Sequence, residues 1–158
     1  RALARDVLSV APMPQVVAIC CENAAPSHLD AVRREGAVVQ TVSCSGNLHS
    51  SVVELALRGG ASGVLVFSCP PRDCRGREGP KWLTERMFNG RDAELQARVD
   101  RRRVATATMV VGDLAHTLAT LREFRASLAP LGSGGAVDLT ELDVECESGA
   151  ALVEAEER

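Results

Sequence analysis

Cysteine closes three of the chain's apolar runs at a nearly constant interval. Val16-Val17-Ala18-Ile19 leads into Cys20-Cys21, Val38-Val39-Gln40-Thr41-Val42-Ser43 into Cys44, and Val64-Leu65-Val66-Phe67-Ser68 into Cys69, with Cys74 close behind. Cys20 and Cys44 are 24 residues apart, Cys44 and Cys69 are 25 apart, and that is about the length of one strand plus one helix. The spacing therefore predicts thiols gathered along one edge of a parallel sheet. Gathered thiolates are soft ligands, and their chemistry is that of a bound metal centre.

Cys20, Cys21, Cys44, Cys69 and Cys74 can approach one point, and a four-thiolate site needs four of them. Side chains alternate along a strand, so one of Cys20 and Cys21 is expected to face the site. Cys21, further out, is preferred, with Cys20 the alternative. A [2Fe–2S] cluster with four thiolates carries net negative charge. It needs ligands from separate segments, with backbone donors and positive charge around it. Arg72, Arg75 and Arg77 flank Cys74 and suit either tuning of such a cluster or docking of an acidic partner. Gly46 permits close approach of the backbone to a bulky group. Zinc is the rival metal, because Cys69 and Cys74 have nearly zinc-ligand spacing. Plain buried cysteines are a further reading. A disulfide framework fits poorly, since no secretory pattern opens the chain and a bridge between neighbours is strained. A thiol–disulfide enzyme would want a Cys-x-x-Cys pair, and none is present.

The elements that must position these thiols follow from periodicity and breakers. Residues 1–14 read as an N-terminal arm ending in Pro12-Met13-Pro14, residues 15–130 as the α/β domain, and 131–158 as an acidic linker and tail. Strands are expected over 15–21, 37–43, 63–68 and 103–111. Helices are expected over 27–34, from an Asn47 cap to Arg58 with Val52, Leu55 and Ala56 inward, from Lys81 to Arg102 with a weak point at Asn89-Gly90, and over 113–128 with Leu114, Leu118, Leu121 and Leu128 on one face. In the tail, Leu142, Val144 and Cys146 alternate with Asp143 and Glu145, which suits a short edge strand or none. The βαβαβαβα order predicts an open, mainly parallel four-stranded sheet with helices on both faces, flavodoxin-like, whose sites lie beyond the carboxyl ends of the strands.

Composition narrows the function further. The 158 residues are 46% hydrophobic and 25% charged, with a net charge of −3, as expected of an ordinary soluble domain. Aromatic residues make up only 3%, and Tyr is absent, which argues against a base-stacking platform. The charge gives no reason to expect a nucleic-acid or membrane partner. No apolar stretch is long enough to span a bilayer, so a cytoplasmic location is the expectation.

The ordered set Cys20-Cys21-Glu22-Asn23, Cys44-Ser45-Gly46 and Cys69-Pro70-Pro71-Arg72-Asp73-Cys74, followed by Glu78-Gly79, resembles the delta subunit of methyl-viologen-reducing hydrogenase. The resemblance covers roughly residues 15–128. It implies an electron-transfer subunit that carries a [2Fe–2S] cluster on the matched cysteines. Such a subunit relays electrons between a hydrogenase or another donor and a flavin-containing, heterodisulfide-reductase-like subunit. Where that family usually continues Cys-Cys-x-x-Cys, this chain has Ala24. The resemblance gives the domain no substrate pocket of its own, so activity would belong to the assembly. The alternative is a structural or regulatory subunit with zinc or no metal.

Other residues carry less. His28, His49 and His116 fall on expected helices, and His49 is a possible mixed ligand or thiol partner. Gly59-Gly60-Ala61-Ser62-Gly63 ends a helix and precedes a strand, the reverse of a phosphate loop. Arg101-Arg102-Arg103 reads as a charged helix end. Trp82 and Phe88 read as core.

Overall fold

A computed structural model describes residues 14–90 and 95–132. The expected N-terminal arm, up to residue 13, and the acidic tail with its edge strand and Cys146 lie outside the described residues. The chain runs β1 (Val16–Cys21), α1 (Leu29–Arg34), β2 (Val38–Val42), α2 (Ser50–Arg58), β3 (Gly63–Ser68), α3 (Gly79–Phe88), β4 (Val104–Thr108) and α4 (Leu114–Leu128), with short 3-10 turns at four junctions.

The four strands form one sheet in the order β2-β1-β3-β4, and every pairing is parallel. The α/β open sheet read from the sequence is therefore present. Parallel crossovers are right-handed. The step from β1 to β2 runs one way across the sheet, and the steps to β3 and β4 run the other. That puts α1 on one face and α2 and α3 on the opposite face, and α4 joins α1.

The central strands β1 and β3 are buried along their whole length, which explains why their sequences are continuous apolar runs rather than alternating ones. Val16, Ala18, Leu65 and Phe67 pack against Val32 of α1 and Leu121, Phe124 and Leu128 of α4. Val17, Ile19, Val64 and Val66 pack against Val53 and Ala56 of α2 and Leu83 and Met87 of α3.

Several details depart from the sequence reading. The long helix expected to Arg102 stops at Phe88. Asn89 is its C-cap, and Gly90 takes a left-handed φ of 71°, which an α-helix cannot continue through. The stretch Arg101–Arg103 is a 3-10 turn entering β4, not a helix end. Arg103 spends its guanidinium on the carbonyls of Ser62 and Leu131 at 2.8 and 2.6 Å. In α2 the buried residues are Ser50, Val53, Glu54 and Ala56, not Val52 and Leu55. Val52-Val53-Glu54-Leu55-Ala56-Leu57 is apolar almost all round, so spacing did not fix its phase. Glu54 is satisfied by the backbone N–H of Gln96 at 3.0 Å. In α4, Leu121 and Leu128 are buried but Leu114 is exposed.

Phe67 is fully buried between β1 and α4. Phe67→Ala is expected to lower unfolding free energy by about 3–5 kcal/mol, read from urea denaturation. Val111→Ala, at an exposed position, should stay within about 0.5 kcal/mol of the parent.

Candidate metal centre

At the carboxyl edge of the sheet a cleft of about 600 Å³ opens between the loops that follow β1, β2 and β3 and the first turns of α3. The strand order reverses between β1 and β3 there, the position at which open α/β sheets hold their ligands. Cys21, Cys44, Cys69 and Cys74 all line this cleft.

The four thiols are organised as pairs. Cys21 ends β1, Cys69 follows β3, and the parallel pairing of these neighbours brings Cys21 Sγ to 3.5 Å from Cys69 Sγ. Both side chains are buried, at 4% and 2% exposure. Cys21 Sγ also lies 3.8 Å from the Ser43 carbonyl. Cys44 and Cys74 are half-buried and come from two loops. A Cβ built on Gly79 would lie 3.1 Å from Cys44 Sγ and 3.1 Å from Cys74 Sγ, so these two sulfurs face the same patch of bare backbone. The pairs are not isolated: Cys74 lies near enough to Cys69 to add to the rise of its pKa, and all four thiols share the one cleft. Among the described residues, no three His, Cys, Asp or Glu side chains are grouped as a single-ion site would need.

Two glycines make the second pair possible. A Cβ on Gly46 would lie 2.6 Å from Gly79 Cα and 3.0 Å from its carbonyl oxygen, so the turn after β2 and the start of α3 touch backbone to backbone. Arg86 holds that contact by donating from Nη1 to the Gly46 carbonyl. The Cys74 loop is closed by short turns: Asp73 N–H donates to Pro70 O at 2.9 Å and Arg77 N–H to Cys74 O at 2.9 Å. Arg77 itself sits at φ 60°, a left-handed conformation uncommon outside glycine.

Charge in the cleft is one-sided. Arg75 and Arg86 line it, and no Asp or Glu is among the described residues that do. The N-terminus of α3 also opens on it, through Gly79, and adds positive potential. Burial pushes the Cys69 thiol up from near 9 to about 12, and its contact with Cys21 adds to the rise. Burial likewise raises Cys20 to about 12, with Arg33 partly opposing. These two thiols are held protonated at neutral pH, the opposite of what a nucleophilic cysteine needs.

Over residues 16–132 the chain matches the family described as methyl-viologen-reducing hydrogenase, delta subunit. The chain belongs to that family. It is accordingly a subunit of a redox complex. Comparison with curated proteins gave no match. Among the described residues no helix is long and apolar enough to cross a membrane.

Within this delta-subunit chain, Cys20 lies in the apolar core with α1 and α4, its Sγ 3.9 Å from the Ala18 carbonyl, and does not line the cleft. Gly46 and Arg75 do line it, whereas Arg72 is exposed on the loop outside it. Ala24 is buried in the core. His49, not Asn47, caps α2: its Nδ1 accepts from the Ser51 N–H at 3.1 Å. Asn47 belongs to the 3-10 turn Ser45–Asn47 and lines the cleft. His28 is buried against Thr117 at 3.0 Å, and His116 is exposed at the start of α4. Trp82 is a cleft wall rather than core, with Lys81 Nζ 5.3 Å from its ring, and Phe88 is 36% exposed. Sequence reasoning missed Arg86 and had Gly79 only as part of the family-like motif. Gly79, Trp82 and Arg86 recur at helical spacing, and that shared face of α3 was the available signal.

The raised thiols fix the sign of a pH effect. An unfolded chain ionises its cysteines near pH 9, whereas folded Cys20 and Cys69 keep their protons to about 12. The metal-free protein therefore keeps the full contribution of these thiols below about pH 9 and loses it progressively as pH rises toward about 12. Urea midpoints taken from about pH 7 to about pH 10.5 should fall at the upper end, and Cys20→Ala should flatten that fall.

Proposed function

We propose that Cys21, Cys44, Cys69 and Cys74 hold a [2Fe–2S] cluster and that the chain is an electron-transfer subunit. The observation that carries this reading is the arrangement of four thiols as two pairs over a cleft lined by arginines and, among the described residues, by no carboxylate. A binuclear cluster takes two thiolates at each iron, so two pairs of thiols on one cleft fit it, whereas a single zinc ion wants its four ligands around one point. The cluster, when bound, supplies one-electron chemistry.

The chain's own residues do the remainder. Ligation requires the thiols to give up protons, and burial, which holds the Cys69 proton in the metal-free protein, makes that ligation depend on pH. Arg75, Arg86 and the start of α3 offset the negative charge of four thiolates. The glycine pair lets the backbone close on the site, and Trp82 screens one wall from solvent. Delta-subunit membership supports a relay in which electrons pass between a hydrogenase or another donor and a flavin-containing, heterodisulfide-reductase-like subunit.

Anaerobic purification with iron and sulfide assay is the test. The expected result is about two irons and two sulfides per chain, with an S = 1/2 signal after dithionite reduction. Cys21→Ala should lose most of the iron and Cys20→Ala should keep it. A colourless protein with zinc or no metal, even after reconstitution with iron and sulfide, overturns the reading and leaves an interaction subunit on a family fold.

A further inference from the structure

The two thiol pairs differ in ways that bear on where an electron goes. Cys21 and Cys69 are almost wholly buried, and their sulfurs are in mutual contact at 3.5 Å. Cys44 and Cys74 are half-buried and lie beside Gly76 and Gly79, with 3.3 Å from the position of a Gly76 Cβ to Cys44 Sγ. The positive groups are on their side. Arg75 adjoins Cys74 in sequence, and Arg86 is bonded to the carbonyl of Gly46, two residues from Cys44. Added negative charge is least costly where water, backbone and guanidinium groups can reach it, and most costly in the buried interior.

We propose, resting on the cluster reading above, that Cys44 and Cys74 hold the outer iron and that this iron takes up the electron, while Cys21 and Cys69 hold an inner iron that stays ferric. The step is a one-electron reduction. One ferric ion becomes ferrous, no bond is broken, and the electron comes from a reduced one-electron donor, dithionite in the laboratory. The site as a whole becomes more negative by one charge, and Arg75 and Arg86 supply positive charge in the cleft that holds it. The electron thereby enters and leaves on the side of the 70–78 loop and the first turns of α3.

Four single variants of the full chain test the assignment: C21S, C44S, C69S and C74S, each purified anaerobically with ⁵⁷Fe. An oxygen ligand disfavours the ferrous state of the iron it binds. C44S and C74S are expected to lower the equilibrium constant for reduction at least about tenfold more than C21S and C69S do, which is a further fall of about 59 mV for one electron. In Mössbauer spectra of the reduced protein, C44S and C74S should change the ferrous component, and C21S and C69S the ferric one. A changed ferrous component in C21S or C69S overturns the assignment. So does pairing of the effects in another way, such as C21S with C44S. Should the serine variants lose the cluster, Arg75→Glu keeps all four thiols. It should disfavour reduction about threefold or more, and an unchanged midpoint potential overturns the proposal. Wild-type protein without iron is a different outcome, because it defeats the cluster reading itself.

Discussion

Parallel hydrogen bonding between β1 and β3 sets Cys20 opposite Phe67, and much of the site depends on that register. It carries Cys21 and Cys69, 48 residues apart in the chain, to a sulfur contact of 3.5 Å. It also creates the reversal of strand order at which the loops splay and leave a cleft. The register is strongly held. Both strands are buried on two faces, so a slip by one residue would exchange the whole inner set of side chains.

The second thiol pair has a different origin. Nothing in the sheet brings Cys44 to Cys74; the backbone contact of Gly46 with Gly79 does so. At this contact no side chain separates the turn after β2 from the start of α3. A metal centre built on these pairs has one wall fixed by the core and one by loops, and the two walls differ in burial and in charge. Burial keeps the Cys69 thiol protonated on the inner wall, and Arg75 and Arg86 line the cleft. The asymmetry is thus a consequence of topology: strand ends are interior, and the loops beyond them meet water and charged side chains.

Much of this was legible in the chain. The strand at 63–68 was read to the residue, because a central parallel strand must be apolar on both faces and its boundaries are a glycine and a serine. The shared edge of the cysteines followed from their 24- and 25-residue spacing. Pairing did not follow, since it depends on which strands become neighbours and on a glycine contact between distant loops. The phase of α2 was hidden by its nearly continuous apolar run. The end of α3 was marked by Asn89-Gly90, but a single glycine in a helical pattern has weight only once its backbone is known to be left-handed. Arg86 carried no signal of its own, because its partner, the Gly46 carbonyl, is 40 residues away in the chain.

Anomalous diffraction at the iron edge, on crystals of the anaerobically purified chain, tests the central claim most directly. The account predicts one iron beside the Cys21–Cys69 pair and another beside the Cys44–Cys74 pair, with Cys20 unligated. Iron bound by Cys20, a lone ion drawing all four thiols around itself, or zinc scattering in place of iron would contradict it.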